Sequence, residues 1–427
     1  MPAHDDGATA ESTTEQPNET DAGDGDGFVV TPYEVSGELD YDKLLEEFGA
    51  DRLTAEDVRR FPDHPMLRRG IYYAGRDVDA YLDAAAGDAV TADAATADVD
   101  AATGEDGAGG THSIVTGVGP SGPMHLGHAL VFYLAKELQD ATGATVYVPL
   151  SDDEKYLSKD LTFEAVGEAT RENLRDLLAI GFDPERTRFV LDSADADVVY
   201  PLAATFAKDV TMNQLEATYG RPDNVGMGFY PAVQTAHLLL PQLVEGAHPT
   251  LVPVAVDQDP HVRVSRDVAA KARYPVRKPG ALLGKFLPDL AGPGKMSSSE
   301  GAAIYLTDDA ETVREKVLEH AYSGGRDSVS EHREHGGDPS VDVAFQYLRY
   351  FFERDDDRLA ELATQYREGE LLSGELKLEA VDAITEFLES HQRRRDALGD
   401  VRDELEPYRL TEAERERALD AAGVPRL

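Results

Sequence analysis

The sequence predicts an α/β fold: a parallel sheet with crossover helices over residues 112–301, an all-helical domain over 302–427, and a small appended region over 28–83. Three observations predict it. Short β-branched runs alternate with helical stretches through the middle of the chain, a Gly/Pro-rich turn joins the first such run to a helix, and from about Leu306 the apolar residues take helical spacing.

Residues 1–27 consist mainly of Asp, Glu, Thr, Gly and Ala, with no Lys or Arg and no large aliphatic after Met1. Such a segment buries too little surface to offset its chain entropy and reads as a disordered acidic tail. In the appended region, Tyr41–Phe48 and Thr54–Phe61 are helical candidates. Residues 84–111 form a second Ala/Asp/Thr/Gly stretch. Its alanines favour helix, but Gly104, Gly107, Gly109 and Gly110 argue for a loose, disordered acidic insertion.

Strands are expected at Ile114–Thr116, Thr145–Leu150, Arg188–Leu191 and Leu251–Val256. The segments Gly117–His125, Ser151–Lys155 and Asp257–Pro260 follow three of them directly and read as polar loops. Ligands of open α/β sheets bind beyond the carboxyl ends of the strands, so these loops should converge on one cleft. Further on, Phe345, Leu348, Phe351 and Phe352 form one apolar helical stripe, and Val381, Ile384, Phe387 and Leu388 another. The second stripe's helix ends in Arg393-Arg394-Arg395. That cluster suits a helix C-terminus and equally suits nucleic-acid phosphates.

Asp and Glu number 82 against 41 Lys and Arg, a formal charge of −41. So large an excess repels polyanions at low salt and suits a solvent salty enough to screen it, as inside a salt-accumulating halophile. The absence of cysteine excludes disulfides and Cys-based zinc sites. The N-terminus lacks a basic-then-apolar signal and no apolar run approaches membrane-spanning length, so a cytoplasmic protein with no membrane partner is expected.

Two motifs carry the chemistry. Gly119-Pro120-Ser121-Gly122-Pro123-Met124-His125-Leu126-Gly127-His128 lies between a strand and a helix whose Leu126, Leu130, Leu134 and Leu138 recur every four residues. A helix N-terminus offers free N–H groups and a positive dipole end, and glycines admit an anion to the backbone. His125 and His128 can each donate a hydrogen bond to oxygen that gains charge as pyrophosphate leaves. In Lys295-Met296-Ser297-Ser298-Ser299, preceded by Gly292 and Gly294, a flexible lysine arm can follow a charge that moves. Singly, each motif could be a plain turn or a solvated loop; together and in this order they describe a nucleotide site.

The pair resembles the two signatures of class I aminoacyl-tRNA synthetases, with a Rossmann-like catalytic domain, and the flanking text resembles tryptophanyl-tRNA synthetases of the archaeal and eukaryotic type. Asp40–Leu45, Leu67–Ile71, Ser151–Leu157, Pro231–Gln234, Val256–Pro260, Ser323–Asp327, Glu331–Arg333, Ser373–Lys377 and His391–Arg395 carry the similarity. It covers almost everything from Phe28 onward except the acidic insertion. The resemblance implies ATP as substrate with Mg²⁺, tryptophan and tRNA(Trp) as partners, a homodimer, and an anticodon-binding role for 302–427. It implies catalysis by His125, His128, Lys295, Ser297 and Ser298, with ATP held by Gly119, Pro120, Ser121, Gly127, Lys155, Met296 and Ser299. Glu154, Gln234 and Gln258 match positions that hold the amino acid around its α-amino group, and Arg393, Arg394 and Arg395 become candidate tRNA contacts. No protein-bound metal is implied.

Ungapped counting places Val115 where eukaryotic members have a tyrosine and Pro149 where they have a glutamine, the two residues that read the indole N–H. Neither replacement can accept that bond. Val118 stands where the family has an arginine close to ATP. Three readings stay open at this point: tryptophan activation with another acceptor, a tyrosine-specific synthetase, and a divergent second copy that binds tRNA or nucleotide without charging.

Overall fold

The computed structural model describes residues 29–30, 35–36, 41–94, 111–295 and 303–425, with the backbone alone at 29–30, 35–36, 47, 88–94 and 293–295. The acidic tail 1–27, residues 95–110 of the insertion, and Met296, Ser297, Ser298 and Ser299 lie outside the described residues.

In chain order the strands are β1 (Val29–Val30), β2 (Val35–Ser36), β3 (Asp51–Arg52), β4 (Tyr72–Arg76), β5 (Ser113–Val115), β6 (Thr145–Leu150), β7 (Thr187–Leu191), β8 (Thr250–Ala255), β9 (Gly280–Gly284), β10 (Pro288–Asp289) and β11 (Gly292–Lys295). Seven of them form one sheet in the order β3-β4-β9-β8-β5-β6-β7. The run from β9 to β7 is parallel, with Ser113 opposite Thr145 on one side and Thr250 on the other. Strand order therefore reverses at β5, and the carboxyl ends of β5 and β8 flank a switch-point crevice.

The period-two alternation of the strands sorts their side chains between two layers. Ile114, Val146, Val148, Leu150, Phe189 and Leu251 join the helices Leu126–Thr142 and Phe163–Ile180 in one apolar cluster. Val115, Tyr147, Val190, Val252 and Leu283 face the other way, onto helices Ala196–Ala207, Val225–Glu245 and Asp259–Ala269.

The four expected strands are present, and the sheet is larger than expected. β9 is a fifth parallel strand, and β4 and β3 extend the sheet antiparallel beyond it, so the appended region is continuous with the sheet. Glycine at both ends of β9 hides its strand character, yet closeness requires it: a Cβ on Gly284 would stand 2.9 Å from the Tyr72 ring. Helix Ala55–Arg60 is capped by Thr54 and Asp57 in a reciprocal box. The expectation of a loose loop from Ala84 needs correction, because helix Val78–Ala94 runs through its first part. Buried Tyr81, Leu82 and Ala85 anchor that helix and alanine propensity extends it.

Helices from Ala310–His320 to Glu412–Ala421 make up the C-terminal part. Its two predicted stripes pack on each other, with Phe387 edge-on to Phe351 and Phe352 at 5.4 Å.

Candidate active site

The first motif occupies the crevice. Val118 stays in register with Leu150, its N–H donating to Pro149 O and its carbonyl accepting from Ser151 N, so the turn begins as a continuation of the sheet. Asn173 Nδ2 donates to Gly122 O at 2.8 Å and fixes the turn's far side. His125 is the N-cap of helix Leu126–Thr142, and its ring stacks on that of His128 with centroids 3.8 Å apart. His125 is 4% exposed, while His128 and Gly127 are open to solvent, so the pair presents one imidazole edge at the positive end of the helix.

The second motif is framed at both ends. β10 and β11 form a hairpin whose register sets Lys295 opposite Pro288. Tyr347 Oη donates to Pro288 O at 2.8 Å, and Tyr350 Oη to Phe286 O. After the motif, Lys316 Nζ donates to Ala303 O at 2.8 Å and Gln392 Nε2 to Leu306 O at 2.8 Å. The stretch Ile304–Leu306 then lies antiparallel against the first motif: Leu126 N donates to Ile304 O and Leu306 N to Met124 O, both at 2.9 Å. The two motifs, remote in sequence, are thus joined by backbone hydrogen bonds through the flank of the second.

Ser151–Lys155, expected as a loop, is the start of helix Asp152–Ser158, whose first turn is acidic as a helix N-terminus favours. Glu154 Oε2 pairs with Lys155 Nζ at 2.7 Å. Gly119 lies directly over this pair, since a Cβ there would stand 2.3 Å from Lys155 Cε and 3.0 Å from Glu154 Oε2. Lys159, one turn on, reaches Ser121 Oγ at 3.3 Å and adds a second ammonium beside the turn. Sequence reasoning passed over Lys159, although its i,i+4 spacing from Lys155 signals a shared helix face.

Gln234, half-buried in helix Val225–Glu245, donates from Nε2 to Tyr230 Oη at 2.5 Å. Burial and nearby Glu154 raise Tyr230 well above its ordinary pKa, so it stays a neutral phenol beside the carboxylate. Gln258 ends a short turn of 3-10 helix after β8, and Asp259 opens the next helix. Arg76 of β4 grips Asp259 with both arms, Nε to Oδ1 at 2.7 Å and Nη2 to Oδ2 at 2.8 Å, which holds the Gln258 turn against the sheet. Val115 is 0% exposed within the apolar layer of Tyr230 and Val233, and Pro149 is buried opposite Val190. That wall of the crevice is apolar.

A buried acidic cluster adjoins it, which sequence reasoning missed. His237 Nε2 lies 2.5 Å from Asp192 Oδ1, both side chains being fully enclosed. Burial lowers the His237 pKa to about 4, so the ring is neutral near pH 7. Burial and the adjoining Asp192 raise Asp153 to about 7, while Tyr200 Oη donates to Asp153 Oδ2 at 2.6 Å. Burial raises Asp192 as well. Among the described residues, no group of three or more His, Asp or Glu forms a metal cage.

The basic cluster divides. Arg394 Nε donates to Ala179 O at 2.7 Å and Nη2 to Tyr133 Oη at 2.9 Å. Arg395 Nε lies 2.8 Å from Asp176, a buried carboxylate that His391 Nε2 also meets at 3.2 Å, and Arg395 also pairs with Glu172. These two arginines fasten their helix, Ser373–Asp396, to the sheet domain. Arg393, with a side chain 69% exposed, points to solvent.

A parallel sheet with a switch-point crevice, a paired-histidine helix N-terminus and a bonded second motif define a nucleotide-activating α/β enzyme. Residues 108–389 match the family model described as tRNA synthetases class I (W and Y), and the chain belongs to that family. Within it, the chain is 64% identical over 399 residues, 93% of this chain and 98% of the relative, to tryptophan–tRNA ligase 2 of Halobacterium salinarum. It is 39% identical to the tryptophan–tRNA ligase of Saccharolobus solfataricus, over 87% of this chain and 93% of that one. The tryptophanyl-tRNA synthetase from Giardia lamblia superposes with a TM-score of 0.75 at 31% identity, covering 87% of this chain and 96% of that one.

Proposed function

We propose that the chain joins tryptophan to ATP, giving tryptophanyl-adenylate and pyrophosphate, and then passes the acyl group to the terminal ribose of tRNA(Trp). One observation carries this reading: the histidine-bearing helix N-terminus is backbone-bonded to the flank of the lysine–serine motif at the mouth of the β5/β8 crevice.

The substrate carboxylate attacks the α-phosphorus in line and the β,γ-pyrophosphate leaves, so no enzyme nucleophile takes part. Rate then comes from holding the reactants and from stabilising charge on the departing phosphates. His125 and His128, the positive end of helix Leu126–Thr142, and Lys155 and Lys159 surround the turn through Gly119 and Ser121. Lys295 and Ser297–Ser299 are assigned to the same triphosphate by the family signature they match. ATP arrives with Mg²⁺ on its phosphate oxygens, which neutralises part of their charge. Glu154 meets the α-ammonium, and Gln234 and Gln258 orient the amino acid through amide hydrogen bonds.

Arg393 and the exposed face of the C-terminal helices contact tRNA, with 302–427 serving anticodon recognition. The enzyme works as a homodimer in the cytoplasm; no helix among the described residues is long and apolar enough to cross a membrane. Amino-acid-dependent pyrophosphate exchange in molar KCl, run across the aromatic amino acids, tests the activation step. Exchange with tryptophan supports the reading, exchange with tyrosine alone replaces it with the tyrosine enzyme, and no exchange leaves a non-charging paralogue.

A further inference from the structure

The two positions expected to read the indole nitrogen are Val115 and Pro149, and neither offers an acceptor. An amino-acid site for tryptophan that buries the indole N–H without a partner would lose most of its selectivity, because an unpaired buried donor carries its full desolvation penalty. The acceptor has to come from elsewhere in the same wall.

The wall contains one. His237 Nε2 is engaged by Asp192 Oδ1, while Nδ1 of the same ring is buried with no hydrogen-bond partner. Histidine with Nε2–H donating to a carboxylate keeps a bare lone pair on Nδ1, an acceptor and nothing else. Burial keeps the ring neutral, which preserves that lone pair. A pair with a purely architectural role would be expected to satisfy both ring nitrogens, as His248 does with Gly246 O and Ser113 Oγ.

The location fits the task. On helix Val225–Glu245, Tyr230, Gln234 and His237 follow at i, i+4 and i+7, so all three share a face. His237 lies one turn, about 4.5 Å, further along the helix than Gln234. If the α-amino group is held at Glu154 and Gln234, as proposed, the same helix face leads on from there to His237. On the sheet, Val190 is the register partner of Pro149, and Asp192 comes two residues later on the same face. The polar function missing from position 149 of β6 is thus supplied from just beyond the neighbouring strand, β7.

We infer that His237 Nδ1 accepts the indole N–H of the substrate, and that Asp192 is a positioning residue that fixes the ring and its tautomer. The inference rests on the proposed tryptophan activation, and its test separates the two. Pyrophosphate exchange is measured with tryptophan and with 3-(benzothiophen-3-yl)alanine, the same shape with sulfur in place of N–H. The wild type should prefer tryptophan by well over 100-fold in kcat/KM, since a site that hydrogen-bonds the distinguishing group rejects an analogue lacking it by up to about 10⁴–10⁵-fold. His237→Leu should raise KM for tryptophan and shrink the preference to within about tenfold while leaving the analogue's constants nearly unchanged. His237→Asn, whose Oδ1 can take the place of Nδ1, should recover part of it. Asp192→Asn can donate to Nε2 and so turn Nδ1 into a donor; it should lose the preference with the fold intact.

The chain contains no tryptophan, so indole emission comes only from the ligand, and its change on binding gives an independent Kd. An unchanged preference in His237→Leu overturns the inference and leaves tryptophan activation standing. A wild type that exchanges both amino acids equally well overturns it without any variant, which covers substitutions that fail to fold. A wild type inert toward tryptophan overturns both.

Discussion

The backbone N–H of Leu126 donates to the carbonyl of Ile304 across 2.9 Å, tying the first turn of the histidine-bearing helix to the chain that leaves the lysine–serine motif. β11 carries Lys295 in the hairpin with β10, and Lys316 holds Ala303 beyond the motif. Lys295→Ala should therefore lower adenylate formation by about 10²–10³-fold with little change in the Kd for tryptophan. Unaltered pyrophosphate exchange in this variant would rule out a phosphate role for Lys295.

Gly119→Ala tests the packing of the first motif on Glu154 and Lys155. The added methyl has no room beside Lys155 Cε and must displace the lysine arm. Displacements of about 1 Å cost on the order of 100-fold in rate where catalysis depends on positioning. Exchange kinetics should show that loss mainly in kcat, with the thermal midpoint close to wild type.

Stability should depend on pH through Asp153. Its folded pKa of about 7 lies above its ordinary value, so the fold binds a proton that the unfolded chain has released. The corresponding stability is present at low pH and is lost as pH rises through about 7. His237 acts in the opposite sense: with its folded value at about 4, its contribution is present above about pH 6.5 and lost as pH falls through 4. Asp153→Asn should melt higher than wild type near pH 8, with the gap closing toward pH 5; a gap constant across that range would contradict the assignment.

The arginine cluster should split into two phenotypes. Arg395→Ala leaves Asp176, 1% exposed, with His391 as its remaining cationic candidate, and should destabilise by about 2–3 kcal/mol in chemical denaturation. Arg393→Ala should leave the melt untouched and raise the KM for tRNA a few-fold without affecting pyrophosphate exchange. A lowered melting point in Arg393→Ala would assign it to the fold instead.

With 82 acidic against 41 basic side chains, folding should weaken as salt is withdrawn, because self-repulsion goes unscreened. Thermal melts in low and molar KCl measure this directly, and coincident curves would refute the halophilic reading.

Local patterns made much of this molecule legible. β-branched runs marked β5 to β8, the Gly/Pro turn marked the crevice, and Thr54–Phe61 was legible as a helix. What escaped depended on partners far away in sequence. β9 reads as glycine and small aliphatics because its neighbour Tyr72 occupies the missing side-chain space. Asp192 and His237 sit 45 positions apart, and neither residue alone distinguishes a surface group from half of a buried pair. The one local hint was a histidine three residues after Gln234 in the mostly apolar stretch Pro231–Leu240. Lys295 through Ser299 is the reverse case, plain in sequence while its side chains lie beyond what the structure describes.

The antiparallel union of β4 with β9 has a bearing on biosynthesis. Tyr72–Arg76 leaves the ribosome about 200 residues ahead of Gly280–Gly284, so its hydrogen-bonding edge waits for most of the chain to be made. Closing that seam is a late event in the nascent polypeptide's life. Since Arg76 brings Asp259 with it, translation has to run nearly to the lysine–serine motif before the amino-acid side of the crevice can set.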